Sequence, residues 1–209
     1  TKMGFKGEKR EAQLQNYIMS EAERYLAGFG REIIGWDEIL EGDVSPTAVI
    51  MSWRGNVGGI EAAHASHKVI MAPNDYCYFD YYQSPDQEQN NDKEPFGNCC
   101  YLPLEKVYEL TPCPAELNEE ESKFILGPQC NLWTEYIHTP EHVEYMLLPR
   151  LAALSESGWT KVKDFADFER RLASLTRIYD TYDYCYRPRN EEAQKKMLDR
   201  INAGYEVKE

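Results

Sequence analysis

Four short apolar stretches in this chain lead into an aromatic residue with a polar or charged neighbour: Trp36-Asp37-Glu38, Trp53-Arg54, Tyr78-Phe79-Asp80 and Trp133-Thr134-Glu135. A single tryptophan at the end of a strand is ordinarily packing. Four such endings are harder to explain that way if the strands are parallel, because parallel α/β folds place their ligands at the C-terminal ends of strands. Aromatic faces stack on the C–H faces of a pyranose, and carboxylates accept hydrogen bonds from its hydroxyls. The residue types therefore point to a saccharide site on a parallel α/β scaffold.

Composition removes competing chemistries. The formal net charge is −13, with 23 Lys+Arg against 36 Asp+Glu and no basic run, so nucleic-acid binding is excluded as an expectation. Fifteen Tyr and four Trp then favour stacking on sugars over stacking on bases. No run of about 18 apolar residues predicts a membrane span. The six cysteines (Cys77, Cys99, Cys100, Cys113, Cys130, Cys185) form no CxxC pair and no metal-ligand spacing. Adjacent Cys99 and Cys100 do not readily bridge each other, and a disulfide from this pair to Cys113 stays open. His64 with His67 and His138 with His142 have spacings that could reach a metal, but no carboxylate pattern completes a site. All four are read as solvated surface residues, and no metal or organic cofactor is implied.

The elements that must position these residues follow from periodicity. Glu8 to Ala27 is helix-like, with Leu14, Tyr17, Ile18, Ala22, Tyr25 and Leu26 at three- and four-residue spacing, and Gly28 and Gly30 end it. Apolar strands are predicted at 32–36, 48–53, 68–72 and from 124 toward Trp133, with a helix following the second near Ile60 to His64. One helix is expected from Pro140 through Leu154, and two more over about Phe165 to Tyr182 and Glu191 to Gly204. Short apolar strands separated by helices mean buried parallel strands with crossover helices. A doubly wound sheet and a (β/α)8 barrel both satisfy that pattern. Tyr81 to Glu120 breaks the rhythm: long, polar and Pro-rich, with Asp86 to Asp92 as a solvated charge run, it reads as a loop over an active-site face.

The motifs bring a family resemblance. Gly35-Trp36-Asp37-Glu38, Met51-Ser52-Trp53-Arg54-Gly55, Tyr78-Phe79-Asp80-Tyr81-Tyr82-Gln83 and Gly127-Pro128-Gln129-Cys130-Asn131-Leu132-Trp133-Thr134-Glu135 resemble consecutive blocks of family 20 β-N-acetylhexosaminidases, in the family's order and near its spacing. Met146 to Glu156, followed by Trp159, is similar to the family's last barrel helix. The resemblance runs from about Glu8 to Trp159. It implies the C-terminal half, about strands 5–8, of a (β/α)8 TIM barrel over residues 1–159, with extra C-terminal helices over 160–209. The chain starts abruptly, as a piece cut from a longer one would.

The resemblance also implies chemistry. Such enzymes release terminal β-linked N-acetylhexosamines from glycans by substrate assistance: the 2-acetamido oxygen attacks the anomeric carbon in place of an enzyme nucleophile. Trp36, Trp53 and Trp133 would wall the acetamido pocket. Tyr78 would orient the acetamido oxygen, Asp80 would meet the 6-hydroxyl side, and Glu135 the 3- and 4-hydroxyls. The family's catalytic Asp-Glu pair lies in a His-x-Gly-Gly-Asp-Glu block that these 209 residues do not contain. Asp37-Glu38 is not its substitute, because its motif matches the fifth strand, and the early-strand Arg that grips the sugar is also missing. The chain alone is therefore expected to be inactive, and to self-associate or pair with another chain through the open edges of a half barrel. A non-catalytic carbohydrate-binding module, or an α/β domain whose aromatics only pack, are the alternatives. By resemblance alone a periplasmic, secreted or lysosomal location is favoured.

Overall fold

Runs of β-branched and apolar residues flanked by Gly, Pro and Ser form strands only when both faces are covered. In the computed structural model, which describes residues 7, 10–84 and 94–206, the chain divides into two compact units, 1–74 with 112–129 and 75–111 with 130–209.

The first unit holds the sheet. Strand β1 (Ile34–Trp36), β2 (Val49–Ser52), β3 (Val69–Met71) and a later strand (Ile125–Pro128) pair in parallel, in the order in which they occur along the chain. This unreversed order is what a barrel requires, whereas a doubly wound sheet reverses at a switch point. Helix α1 (Arg10–Ala27) precedes the sheet, a 3-10 turn (Asp37–Glu41) follows β1, and α2 (Val57–His64) crosses from β2 to β3. Ile50, Ala62, Ala63, Val69 and Met71 form a core with almost no exposure. The last strand carries an irregularity: Val69 faces Ile125 but Ile70 faces Gly127, so Leu126 is the extra residue of a bulge. Gly127 has φ +136, a conformation that a side chain would resist.

The predicted apolar stripe of α1 does not turn inward. Leu14, Tyr17, Ile18 and Tyr25 are exposed, and the residue the helix buries is Asn16. Ile34 on β1 and Leu126 on the last strand, the two edges of the sheet, are also exposed, at 53% and 58%.

The second unit is mostly helical. It opens with α3 (Asn74–Cys77), whose first residue still belongs to the sheet unit, and with β4 (Tyr81–Tyr82). It continues through β5 (Asn98–Tyr101), α4 (Leu104–Glu109), α6 (Pro140–Leu147), α7 (Arg150–Trp159), α8 (Phe165–Thr181) and α9 (Glu191–Glu206), while α5 (Glu119–Ser122) and β6 (Ile125–Pro128), the last strand of the sheet, belong to the first unit. The stretch expected as a long loop is thus structured at both ends of its undescribed middle. β5 pairs with β4, and α4 buries Val107 and Tyr108 against a core shared with Ala153 and Leu154 of α7. Apolar residues at helical spacing within a polar segment are the physical reason. The charge run Asp86–Asp92 lies outside the described residues. The single helix expected from Pro140 to Leu154 is two, because Pro149 has no N–H to continue the ladder. Buried Glu94 accepts hydrogen bonds from Tyr145, Arg187 and Gln194, tying the region before β5 to the start of α9.

Candidate functional site

The six sequence-selected residues fall into two groups, one in each unit. In the first unit, Trp36 is the last residue of β1 and sits opposite Met51 of β2, two positions short of Trp53. Trp53 follows β2 directly, so both are strand-end residues as expected. Both are partly buried.

What fixes Trp53 is the dipeptide beside Trp36. Glu38 accepts the indole N–H with both carboxylate oxygens at 3.0 Å. Asp37, 2% exposed, accepts the main-chain N–H groups of Trp53 (2.9 Å) and Arg54 (3.1 Å) through Oδ2, and the Arg54 Nε–H through Oδ1 at 2.5 Å. Arg54 also reaches Glu41 at 2.9 Å. The hydrogen bonds it donates to Glu41 and then Asp37 push the Arg54 guanidinium above its ordinary value. Burial of Asp37 is thus compensated by an ion pair and two main-chain donors. Glycine makes the approach feasible: a Cβ on Gly58 would lie 2.7 Å from the Asp37 Cβ. Ser52 completes the corner, donating to the Gly55 carbonyl and accepting from the Gly59 N–H.

In the second unit, Tyr78, Asp80, Trp133 and Glu135 sit further from the ladder than expected. β3 stops at Met71, and a helical turn, α3, precedes Tyr78, while β6 stops at Pro128, five residues before Trp133. The two segments meet through an isolated parallel bridge between Tyr78 and Asn131, with Phe79 N–H donating to the Asn131 carbonyl at 2.7 Å and Asn131 N–H to the Cys77 carbonyl at 2.8 Å. This brings the Tyr78 and Trp133 rings to 6.3 Å, tilted by 55°. Tyr78 is nearly buried; Trp133 and Glu135 are exposed.

Asp80 is 2% exposed. Its Oδ2 accepts from Asn98 Nδ2 at 3.1 Å, while its buried Oδ1 has no hydrogen-bond partner among the described residues. Burial holds the carboxyl above its ordinary value; the Asn98 bond opposes this, Glu135 adds to it, and Arg150 offsets part of it. A buried acceptor without a donor is rare and is a place for a ligand's donor.

The same segment hangs on Arg150, which is fully buried. Its guanidinium donates to the carbonyls of Phe79 (2.5 Å), Tyr81 (3.0 Å), Leu102 (3.1 Å) and Met146 (2.6 Å), and lies 4.8 Å from the Phe79 ring centroid. Burial pulls its pKa down to about 9. Two of these carbonyls flank Asp80, so Arg150 positions it. Sequence reasoning quoted Arg150 within a motif and gave it no role, because main-chain partners leave no mark in sequence.

Two of the four histidines depart from expectation, while His64 and His138 are exposed as expected. His67 is buried, with Nδ1 3.1 Å from the Ala48 carbonyl, and His142 is fully buried, its pKa pushed down to about 4 chiefly by that burial. His64 is exposed and meets Glu121. Among the described residues no group of three or more His, Cys, Asp and Glu is arranged to hold a metal, and no helix is long and apolar enough to cross a membrane.

Residues 1–162 match the family described as glycosyl hydrolase family 20, catalytic domain. The chain belongs to that family. It is 47% identical over 169 residues to a β-hexosaminidase of Porphyromonas gingivalis, covering 79% of this chain and 21% of that protein. A β-hexosaminidase of Vibrio furnissii is 35% identical over 150 residues, 70% of this chain and 24% of that protein. Among solved structures, the family 20 exo-β-N-acetylglucosaminidase of Vibrio harveyi, in complex with N-acetylglucosamine, superposes with a TM-score of 0.77 at 31% identity, over 90% of this chain and 29% of that one. The chain therefore spans between a fifth and a third of the curated relatives it matches. Its parallel, sequentially ordered strands are those of a partial TIM barrel.

Proposed function

We propose that this chain is the sugar-holding part of a β-N-acetylhexosaminidase acting on glycans with terminal N-acetylhexosamine. The observation that carries the reading is the buried Oδ1 of Asp80, which has no hydrogen-bond partner among the described residues, two positions along the chain from the Tyr78 ring that packs near Trp133. A sugar hydroxyl supplies the missing donor, and the rings supply the apolar wall.

In this reading Trp133 is the apolar wall beside Tyr78, and family resemblance gives Trp36 and Trp53, in the other unit, the same kind of role. Tyr78 donates to the acetamido oxygen and stabilises the charge that builds as it attacks the anomeric carbon. Asp80 and Glu135 hold outer hydroxyls. Glu38, committed to the Trp53 indole, positions that wall rather than donating a proton to the leaving group. The proton donor and the Asp that steers the acetamido group belong to a block outside these 209 residues. The exposed Ile34 and Leu126 on the sheet edges fit a barrel completed by another polypeptide or a second copy of this chain.

Calorimetry with N-acetylglucosamine and glucose tests the binding claim. N-acetylglucosamine binds and glucose does not, and Asp80→Asn weakens binding by roughly tenfold or more, the value of one hydrogen bond to a charged group. Equal binding of the two sugars, or none lost in Asp80→Asn, overturns the reading. A chromogenic N-acetylglucosaminide gives no turnover with this chain; turnover would return Glu38 to the role of acid.

A further inference from the structure

Consecutive residues of a regular strand point to opposite faces, so adjacent cysteines in a strand keep their sulfurs apart. Cys99 and Cys100 do not. Their Sγ atoms are 2.6 Å from each other, and both residues are exposed. The cause lies in the ladder. Tyr81 faces Asn98 and Tyr82 faces Tyr101, so one step on β4 spans three on β5, and Cys99 and Cys100 are the two residues left over. Such a bulge bends its strand and leaves the extra residues unpaired.

Both ends of the bulge are pinned. Asn98 N–H donates to the Asp80 carbonyl and Leu102 N–H to the Tyr82 carbonyl, each at 2.7 Å. Arg150 holds the carbonyls of Tyr81 and Leu102 from behind. Cys99 N–H is taken by the Asn98 side chain at 2.8 Å. The expectation that adjacent cysteines do not bridge rests on the distance between consecutive Cα atoms, about 3.8 Å, below the usual disulfide range. A two-residue bulge relieves the remaining obstacle, the opposed side-chain directions.

We propose that Cys99 and Cys100 form a vicinal dithiol that reacts as one unit with small-molecule disulfides, closing to a disulfide between neighbouring residues. The two thiols share a hydrogen bond, and in the scheme Cys100 is the attacking sulfur and Cys99 the resolving one. The Cys100 thiolate displaces one thiolate from the reagent and forms a mixed disulfide. Cys99, deprotonated as the released thiolate takes up its proton, then attacks the Cys100 sulfur and releases the other half of the reagent as a thiolate. Two protein thiols lose two protons and two electrons, and one disulfide becomes two thiols. The other four cysteines lack this arrangement: Cys77 and Cys185 are buried, and Cys113 and Cys130 are partly so.

The test uses the reduced 209-residue chain, oxidised glutathione, an alkylating quench and peptide mass spectrometry. The peptide carrying Cys99 and Cys100 is expected to lose two hydrogens and to carry neither alkyl group nor glutathione. Cys99→Ser is expected to accumulate glutathione on Cys100. In denaturing urea, where the bulge is gone, cyclisation is expected to slow at least tenfold, on the order of the gain from holding two reacting groups in place. Independent glutathione or alkyl groups on the two residues, linkage of either to another cysteine, or equal cyclisation rates in buffer and urea would each overturn the proposal.

Discussion

Removing the Arg150 guanidinium should strongly destabilise the second unit, and the size of the effect follows from its partners. In Arg150→Met the apolar stem is kept and the donors are lost. The Met146 carbonyl lies only four residues back in the chain and is left out of the sum. Those of Phe79, Tyr81 and Leu102 receive bonds from this side chain across 71, 69 and 48 residues of sequence. A buried carbonyl left dry costs about 1–3 kcal/mol. Three give about 3–9 kcal/mol, against a net stability for a whole domain of about 5–15 kcal/mol. The guanidinium pays its own desolvation, visible as its lowered pKa, and losing that cost returns part of the sum. The net expectation is therefore about 3 kcal/mol. With a urea slope of about 2 kcal/mol per molar, the midpoint falls by about 1.5 M. Arg150→Lys keeps the charge but not the planar fork and should lose about half as much. Arg171→Met is the control: it breaks ion pairs to Glu156 and Asp167 at a half-exposed site, worth about 0–1 kcal/mol. If Arg150→Met unfolds within 1 kcal/mol of the parent, or no lower than Arg171→Met, the argument from orphaned carbonyls is wrong.

Gly58→Ala should cost about 1–3 kcal/mol in thermal or urea melts, because the new Cβ meets the buried Asp37 side chain at 2.7 Å and that carboxylate is already fixed by three donors. Its effect should extend to Trp53 fluorescence; an unchanged melt and an unchanged spectrum would refute the close-packing account. His142 sets an acid limb. Its folded pKa is about 4 against 6.5 unfolded, so the unfolded chain binds the extra proton and stability is lost as pH falls from about 6.5 to 4, by about 3 kcal/mol in all. Urea midpoints at several pH values should show this slope in the parent and a shallower one in His142→Gln.

The parallel sheet was legible because each of its strands is a run that makes sense only when both faces are buried, as Val49 to Ser52 shows with four buried residues in a row. Trp36 and Trp53 were legible for the same reason, as residues at the points where those runs end. Tyr78 and Trp133 belonged to recognisable motifs, yet their placement was not legible. The ladder stops at Met71 and Pro128, and what joins them is a bridge of two main-chain bonds whose formation no residue type announces. The buried histidines were misread because polarity alone places a histidine at the surface, whereas His67 is covered beside the Ala48 carbonyl that its ring meets. The stripe on α1 was read correctly as a stripe; periodicity tells which residues share a face, not what covers it.

The two groups of site residues are held by different means, and the difference follows from distance to the ladder. Trp36 and Trp53 inherit their backbone positions from paired strands, so only the indole remains to be fixed, and one carboxylate, Glu38, does that. Tyr78 to Asp80 lie past the end of β3, where main-chain carbonyls have few strand partners. A segment like that stays buried only if something else takes its carbonyls. A neutral side chain offers at most two donors, and a lysine ammonium spreads its three from a single point, whereas a guanidinium offers five in a plane. A fully buried arginine with carbonyls at Phe79, Tyr81 and Leu102 is therefore the expected support for a carboxylate displayed beyond a strand end. It also explains how Asp80 Oδ1 can be buried without a hydrogen-bond partner among the described residues: the backbone on either side is held by Arg150.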